Sequence, residues 1–300
     1  MTRWRWNHIL LLCLLALALP ACDGPEPRVL ARNGGPDARG ADVNGADANG
    51  FVPFVFTQAG DPQIGGWASI EDTKARWIQL AHLANDIRPA VVVVVGDLVN
   101  DGHRAKEAGA QHEKELAAFD EGLAEFHVPV RLLIGNHDDP ATYRRKYGPD
   151  HYSFTVNNCE FICLNSNLMT RLALSAERRS AVNEQWRWLE TTLERARKEN
   201  RAHVFVALHH PPLTVLPGSA KRLDSLFRKY GVNVGLAGHI HETRQYTLRG
   251  YTTFTVAGTG WAADKKGFGY RLFKVYADRV EEDYVRLDAP LPATIPAGAK

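Results

Sequence analysis

The segment Val91–Asn100, VVVVVGDLVN, decides the fold. Its five consecutive valines show no alternation of polar and apolar residues, which is typical of a strand covered on both faces in the middle of a parallel sheet. Gly96 permits a close turn, and Asp97 presents a carboxylate just beyond the carboxyl end of the strand, where ligands bind in open α/β sheets. Taken alone, Gly96-Asp97 is equally well explained as an ordinary strand-ending turn. The rest of the chain has to decide.

Composition fits a globular protein without a nucleic-acid partner. Of the 300 residues, 45% are hydrophobic, which is enough for a sizeable core. The 36 basic and 34 acidic residues leave a formal net charge of +2, and they form no dense run of Lys or Arg. We therefore expect no nucleic-acid-binding surface. Nothing in the composition indicates an oligomeric state.

Residues 1–21 have the organisation of a lipoprotein-type signal peptide. Arginines precede the apolar run Ile9–Leu19, which is short for a membrane-spanning helix and ends at Leu19-Pro20-Ala21-Cys22. This tetrapeptide resembles the bacterial lipobox, whose cysteine is lipidated and becomes the mature N-terminus. A conventionally cleaved signal and an uncleaved membrane anchor are the alternatives. The resemblance implies an extracytoplasmic protein, periplasmic or on the cell surface, anchored to a bacterial membrane through Cys22.

Three further segments follow. Residues 22–50 are rich in Gly, Ala, Asp, Asn and Pro, which predicts a flexible tether. Residues 51–288 form the folded domain, and residues 289–300 are a C-terminal tail. Within the domain, Cys159 and Cys163 lie four positions apart on a predicted strand, a span of roughly 13 Å. This separation is too large for a disulfide, so we expect two buried, inert thiols.

Strands and helices alternate in the first half of the domain. Strand patterns over Phe51–Gln58, Val91–Val95 and Pro129–Ile134 are separated by apolar residues at helical spacing over Thr73–Ile87 and Lys106–Phe126. This order is the signature of βαβ units and a parallel sheet.

The second half of the domain changes character. Asn157-Asn158 is expected to turn a hairpin, and helices are predicted over Ser175–Asn200 and Lys221–Tyr230. The segments after Thr243 alternate as antiparallel strands do. The predicted fold class is α/β, and α+β in its second half, with a two-layer β core, helices outside it, and a second half that is largely antiparallel or mixed.

Five predicted strands end in loops with metal-competent side chains: Asp61 and Gln63, Asp97, Asn136 and His137, His209 and His210, and His239 and His241. Each loop alone is weak evidence, because a lone histidine is more often an ordinary surface or core residue. The other histidines, His103 among them, are interpreted in that way. Because loops at one end of a sheet meet in space, we expect oxygen and imidazole ligands around a common point.

These blocks resemble the calcineurin-like metallophosphoesterase superfamily, whose pattern is Asp-x-His, Gly-Asp, Gly-Asn-His-Asp/Glu, His and Gly-His-x-His. Gly96-Asp97, Gly135-Asn136-His137-Asp138, His209 and Gly238-His239-Ile240-His241 match in that order, over about Phe51–Leu287. Gln63 replaces the first histidine, and Asp-Pro-Gln is similar to a subgroup that includes a Ser/Thr phosphatase with a calcineurin-like domain. The resemblance implies a metallophosphatase-type two-layer β-sandwich with the active site at the carboxyl ends of the strands.

The resemblance also implies a ligand set. Asp61 and His241 would bind a first metal ion, Asn136, His209 and His239 a second, and Asp97 both. Gln63 would offer a neutral amide oxygen to the first. Without thiolates, the set suits two divalent or trivalent ions of Mn, Fe or Zn. Such a pair clamps phosphoryl oxygens and lowers the pKa of a bound water for in-line attack.

Further residues are assigned around this centre. His137 would act as the general acid on the leaving group, and Asp138 would orient it by accepting its other ring proton. His210 is a candidate substrate contact, with a supporting or purely structural role as the alternatives. Lys265 and Lys266, which follow the Gly-rich segment Gly258–Trp261, are candidates for attracting phosphate, with a plain turn as the alternative.

Two functions remain open from the sequence. The first is a phosphoesterase that acts on phosphomonoesters or phosphodiesters. The second is a non-catalytic metal- or phosphate-binding lipoprotein that keeps the fold, with Gln63 as an early sign of decay. The presence of all the other ligands and of His137 favours the enzyme.

Overall fold

The computed structural model describes residues 28–31, 50–248, 250–264 and 267–287. These residues form two six-stranded sheets and five α-helices. The sheets pack face to face around an apolar layer to which both contribute, and helices cover their outer faces. The predicted α/β class and two-layer core are confirmed.

The first sheet joins the N-terminal strands to the last strands of the domain. Its order is β1 (Arg28–Ala31), β12 (Arg279–Arg286), β11 (Gly269–Val275), β2 (Phe54–Ala59), β3 (Val91–Val94) and β4 (Val130–Leu132). Strands β2, β3 and β4 are parallel, whereas β11, β12 and β1 continue the sheet in antiparallel pairs. The predicted parallel βαβ arrangement of the first half is confirmed.

The second sheet is parallel in its centre. Its order is β5 (Tyr152–Val156), β6 (Cys159–Leu164), β7 (His203–Leu208), β8 (Val234–Ala237), β10 (Tyr251–Thr255) and β9 (Gln245–Leu248). Only the edge strands β5 and β9 pair antiparallel. Of the two predicted arrangements the mixed one is therefore correct, because β10 is an interior strand, buried along its length and parallel to β8, while β11 and β12 return to the first sheet.

Helices cover the outer face of each sheet. They are α1 (Ile70–Ile87), α2 (Ala105–Ala124), α3 (Pro140–Tyr147), α4 (Ala176–Lys198) and α5 (Pro217–Tyr230). Residues of α1 and α2 share an apolar cluster with the first sheet, and residues of α4 and α5 share one with the second. Helix α3 was not predicted. It is short, and its start is marked by Asp139, which caps it by accepting from Thr142 N at 2.9 Å, and by Pro140.

The valine strand is buried on both faces, as predicted. Val91, Val93 and Val95 point into the layer between the sheets, and Val92 and Val94 pack under the helices on the outer side. All five are at most 2% exposed. Since burying a valine contributes roughly 1.5 kcal/mol or more, the strand that leads to Asp97 is firmly held.

The N-terminal part corrects one prediction. Arg28–Ala31 lies inside the predicted tether 22–50 but pairs antiparallel with β12, from Arg28 opposite Glu282 to Ala31 opposite Arg279. Val29-Leu30-Ala31 is the apolar triplet of that stretch, and an open sheet edge accepts such a segment. The predicted signal peptide, Cys22, the remainder of the tether up to residue 49 and the C-terminal tail lie outside the described residues. Within the described part, no helix has the length and apolar character needed to span a membrane.

The two cysteines of the domain behave as predicted. Cys159 and Cys163 are free and buried. Burial raises the pKa of each thiol to about 12, so neither is a nucleophile at neutral pH.

Candidate metal centre

The loops that follow five parallel strands meet where the two sheets adjoin. The loops after β2, β3 and β4 carry Asp61, Asp97 and Asn136, and the loops after β7 and β8 carry the histidines. Ligand atoms of Asp61, Asp97 and His209 lie within 4.8 Å of one another. The first sheet thus supplies mainly oxygen atoms and the second supplies imidazoles, and the structure brings the two sets together.

Strained backbone marks the candidate ligands. Asp61, Gln63, Asp97, His239 and His241 have φ values of 39°, 38°, 50°, 69° and 53°. They account for five of the eight non-glycine residues with positive φ in the described chain. Each such residue costs on the order of 1–3 kcal/mol, and they persist mainly at functional sites. The strain therefore falls on the predicted ligands rather than on turns at large.

Two glycines allow the loops to approach closely. A Cβ atom on Gly135 would lie 2.1 Å from Oδ1 of Asp97. Gly96 has a φ of 95°, and a Cβ atom there would lie 2.7 Å from Nδ1 of His209. The glycines of the Gly-Asp and Gly-Asn-His blocks are therefore steric requirements of this centre.

His209 is fixed by the first sheet. Its Nδ1 lies 2.8 Å from the carbonyl oxygen of Val95, which can only accept, so Nδ1 carries the proton. Its Nε2 lies 3.2 Å from Oδ2 of Asp97 and 3.0 Å from Oδ1 of Asn136. An imidazole lone pair that faces two oxygen acceptors needs a cation or a second proton between them. His209 is thus oriented as a ligand, and the choice of this histidine over its neighbour agrees with the geometry.

Gln63 is buried with its amide oxygen unsatisfied. Its backbone N donates to the carbonyl of Asp97 at 2.8 Å, and its Nε2 donates to Oδ1 of Asn100 at 3.3 Å. Its Oε1 is buried and has no hydrogen-bond partner. A buried acceptor without a partner is costly, and a hard cation would satisfy it. The orientation fits the predicted role of Gln63 at the first metal.

The imidazoles of the last motif are tied to both sheets. The amide of His239 donates to the carboxylate of Asp61, at 3.1 Å to Oδ1. His241 donates from Nδ1 to the carbonyl oxygen of Trp261 at 3.1 Å, which leaves its Nε2 free. The ring centroid of His239 lies 5.1 Å from that of His209 and 4.2 Å from that of His210.

Asp138 does not orient His137, and that prediction is corrected. The Nδ1 of His137 lies 2.8 Å from the carbonyl oxygen of Asn100, which takes the place expected for Asp138. The carboxylate of Asp138 accepts instead from the backbone amides of Leu98, at 2.8 Å, and Gly135, at 2.8 Å. Buried amides at the two loop ends need acceptors, and Asp138 supplies them. It joins the Asp97 loop to the Asn136 loop.

The comparison with known proteins decides the family. Residues 54–243, more than half of the chain, match the model of the calcineurin-like phosphoesterases. The chain belongs to this family. It is 26% identical over 273 residues to the bovine Ser/Thr-protein phosphatase CPPED1, and the alignment covers 79% of this chain and 84% of that protein. It is 26% identical over 203 residues to a probable cyclic nucleotide phosphodiesterase of Rhodococcus erythropolis, covering 64% of each.

The fold has a counterpart among solved structures. A dimetal phosphatase from Danio rerio superposes with a TM-score of 0.63 at 16% identity, covering 78% of this chain and 96% of that one. The predicted superfamily, fold and class of enzyme, a phosphoric ester hydrolase, are confirmed.

The centre of this phosphoesterase fits metal ions, which its family uses. Buried carboxylates and imidazoles lie within reach of one another, and the buried amide oxygen of Gln63 has no hydrogen-bond partner. A donor set of oxygen and nitrogen without thiolate suits Mn, Fe or Zn. The number of ions, their identity and the division of ligands between them stay predictions.

Charges in the phosphoesterase centre are strongly coupled. Burial raises the pKa of Asp61, and burial together with the charge of Asp97 raises the pKa of Asp138 to about 7. Burial opposes the ionisation of Asp97, but His209 outweighs it and holds the pKa of Asp97 below its usual range. Burial would lower the pKa of His209, yet Asp97 raises it to about 9. A proton on His209 thus does, in part, what a metal ion would do.

His210 lies beside the centre with a separate set of partners. Its amide donates to Oγ of Ser166 at 2.9 Å, and its Nδ1 lies 2.9 Å from the same hydroxyl. The hydroxyl can donate to Nδ1 or accept its proton, and His210 forms with His209 and His239 a second group of side chains that could hold a metal ion. Burial and the charge of His209 lower the pKa of His210 to about 2, so it stays neutral. A neutral ring can donate a hydrogen bond to a substrate or ligate a metal ion, and the role of His210 as a substrate contact stays a prediction.

Two residues near His137 were missed in the sequence. Asn100 accepts from His137 and lies 3.1 Å from Nδ1 of His103. The ring of His103 lies 4.7 Å from that of His137, edge to face. Burial lowers the pKa of His103. Nothing in the sequence around His103 distinguishes it from a surface histidine, since it lies outside the matching blocks, in a short 3-10 helix over Gly102–Arg104.

The loop after Gly258 borders the centre. The ring of Trp261 lies 5.0 Å from that of His241, and Oδ2 of Asp264 accepts from Thr243 N at 2.6 Å. Lys265 and Lys266 lie outside the described residues. Trp67 was missed, although Gly65-Gly66-Trp67 shortly after Gln63 is a turn signal with an aromatic residue close to a candidate ligand.

Proposed function

We propose that the chain hydrolyses phosphate esters with two metal ions held between the two sheets. The observation that carries the proposal is the position of Asp97. Its carboxylate lies close both to Asp61, from the first sheet, and to His209, from the second. Asp61, His241 and Gln63 would hold one ion, Asn136, His209 and His239 the other, and Asp97 both. The pair supplies charge for the phosphoryl oxygens and an activated water.

His137 is proposed as the general acid. Its amide donates to Oδ1 of Asp97 at 2.8 Å, so its backbone is fixed relative to the centre. The Asn100 carbonyl accepts from Nδ1, so the proton that His137 gives to the leaving oxygen comes from Nε2 of the imidazolium form, which becomes neutral as the ester P–O bond breaks. A water adds to phosphorus on the opposite side. His210, with its ring proton on Nε2, donates to a phosphoryl oxygen.

The proposed substrates are small phosphomonoesters or phosphodiesters. Relatives of the chain are named as a protein phosphatase and as a cyclic nucleotide phosphodiesterase. A site that binds the phosphoryl group is compatible with both a phosphatase and a phosphodiesterase. We favour small esters over phosphoproteins, because an extracytoplasmic enzyme meets nucleotides, phospholipid headgroups and small phosphoesters.

Turnover of two model esters tests the proposal. Purified protein supplied with Mn, Fe or Zn should hydrolyse an aryl phosphate, a bis-aryl phosphate or both. The ratio of the two rates assigns it as a monoesterase or diesterase. Asp97→Asn serves as the control for contaminating phosphatases. Failure to hydrolyse either ester with any of the three metals would contradict the proposal, and fewer than one bound ion per chain would favour the non-catalytic alternative.

We further propose that the domain works outside the cytoplasm on a lipid anchor at Cys22. The support is the sequence of residues 1–22. Expressed in a bacterial host, the full chain should partition into the detergent phase, and Cys22→Ser should move it to the aqueous phase or leave it unprocessed. Equal partitioning of the two forms would contradict the anchor without bearing on the hydrolysis.

A further inference from the structure

Trp67 lies exposed on the surface near the metal centre. It is 65% exposed, and among the large hydrophobic side chains that the described residues leave exposed it is the aromatic one. Tryptophan is on average highly buried, and its exposure is typical of surfaces that bind something. The rest of the protein therefore does not explain its position.

Trp67 is joined to the metal centre through a second indole. The ring centroids of Trp67 and Trp261 lie 4.7 Å apart at an interplanar angle of 31°. Trp261 in turn lies with its ring 5.0 Å from that of His241, and its carbonyl oxygen accepts from that histidine. A candidate ligand, an inner indole and an outer indole thus follow one another from the centre to the solvent.

Both indoles are held on loops tied to the Asp61–Gln63 segment. The amide of Gly66 donates to the Gln63 carbonyl at 2.9 Å, which closes the turn before Trp67. The amide of Gly260 donates to the Asp61 carbonyl at 3.0 Å, and Nη1 of Arg76 donates to the Gly260 carbonyl at 2.8 Å. The pair is therefore organised before any ligand arrives, which reduces the entropy lost on binding.

We propose that Trp67 and Trp261 form a stacking platform for a planar aromatic group carried by the substrate, such as a nucleobase. The inference rests on the proposed function, in which the metal centre holds the phosphoryl group of the same molecule. The two indoles contact each other at a tilt of 31°, and Trp67 is mostly exposed, so a further flat ring can pack on the outer indole. A quaternary ammonium is instead recognised by several ring faces that converge on it.

A pair of ligands that differ only in the base isolates the platform. Adenosine 5′-monophosphate and ribose 5-phosphate carry the same phosphoester, and only the first has a nucleobase. Binding of each is measured by titration calorimetry on the metal-loaded chain, and inorganic phosphate is assayed after every run. Since base–aromatic stacking is lost on alanine substitution, we expect the wild type to prefer the nucleotide by about tenfold and Trp67→Ala to remove the preference.

Two further variants complete the test. Trp67→Phe keeps a ring and should retain most of the preference. Val52→Ala, which removes a 46% exposed apolar side chain before β2 and thus at the far end of the strand from the centre, should retain all of it. Because Trp67 is mostly exposed, its replacement should leave the fold intact.

Each outcome bears on the platform or on the proposed function separately. Equal affinity of the wild type for both ligands, or a preference that survives in Trp67→Ala, overturns the platform. Phosphocholine, which carries a quaternary ammonium, is titrated in the same way, and a loss of its binding in Trp67→Ala without a loss of nucleotide binding also overturns the platform. Release of phosphate in those runs would leave the proposed function standing. A nucleotide preference that depends on Trp67 without any phosphate release would support the platform and exclude monoesterase activity on these ligands, and the two aryl esters would then decide the hydrolysis.

Discussion

The two halves of the metal centre are built from opposite chemistry. The first sheet contributes buried carboxylates and amides, and the second contributes imidazoles. Each half is oriented by backbone groups of the other. The amide of His239, from the second sheet, donates to Asp61, while the carbonyl of Val95, from the first, fixes His209. The centre is therefore a property of the contact between the sheets, and neither sheet holds it alone.

This difference also explains the electrostatics. By themselves, the carboxylates of the oxygen half would repel one another when ionised, since Asp61, Asp97 and Asp138 are all buried. The imidazole half offsets that repulsion through His209, whose pKa is raised to about 9 by Asp97 despite burial. Changes on the two halves should therefore have different consequences.

The largest effect is expected from removing the charge that joins the halves. Asp97→Asn keeps the shape but should lower the hydrolysis of an aryl phosphate by more than about 100-fold, because even partners outside the ligand set cost 10–100-fold. The measurement is kcat together with metal content. Asp120→Asn changes the net charge equally, at an ion pair with Lys146 outside the centre, and should leave kcat and metal content unchanged. Equal activity of the two variants would contradict a joint role for Asp97.

The next largest effect is expected in the imidazole half, where replacing His209 and replacing the adjacent His210 should have different consequences. His209→Ala removes the ring that faces Asp97 and Asn136, so metal affinity should fall by about 100-fold. His210→Ala should keep its metal ions and change the kinetics alone, because in the proposed site Nε2 of His210 donates to a phosphoryl oxygen and binds no ion. Equilibrium dialysis with metal analysis distinguishes the two. Loss of metal from His210→Ala alone would transfer the ligand role to His210.

A smaller effect tests how tightly the oxygen half is packed. Gly135→Ala places a methyl group against Oδ1 of Asp97 and should lower the free energy of unfolding by about 1–3 kcal/mol as well as the activity. Gly109→Ala, in α2 with nothing within 4 Å, should raise it by about 0.5–1 kcal/mol. Urea unfolding measures both. Similar shifts in the two variants would show that Gly135 is not a steric requirement.

The smallest effect on the centre should come from Gln63. We infer that the ion it contacts is held more weakly and is Mn or Fe, since a neutral amide oxygen is a poorer ligand than imidazole for a softer cation. Gln63→His should raise zinc affinity by about tenfold, measured as zinc retained against a chelator. Gln111→His, on the exposed side of α2, is the matched control. Two tightly held zinc ions in the unaltered protein would contradict the inference.

The fold followed from the sequence because its signals are local. Five adjacent valines can only be covered on both sides, and the loops after parallel strands must share one edge. The β1 strand and the parallel position of β10 were not foreseen, since strand partners are chosen by the whole sheet. Val29-Leu30-Ala31 is too short to stand out in a polar stretch.

The candidate ligands were foreseen by type and spacing, but their supporting contacts were not. Asp138 adjoins His137 in the chain, so pairing them was natural. Its actual partner Leu98 lies 40 positions away, and only the fold shows that its amide needs an acceptor. For the same reason His103 carried no signal and the turn signal before Trp67 was not enough to single it out, because the significance of both residues depends on the rings beside them.

The left-handed backbone of the candidate ligands has an evolutionary consequence. A glycine at any of these positions would relieve the strain, so selection for stability alone opposes the residues that the chemistry needs. His239→Gly in the metal-free protein should therefore raise the free energy of unfolding, by up to about 1 kcal/mol, while abolishing metal binding. A lineage released from its chemical task would drift toward glycine at these loops first. A descendant that has lost its activity but kept the fold should be recognisable by that pattern.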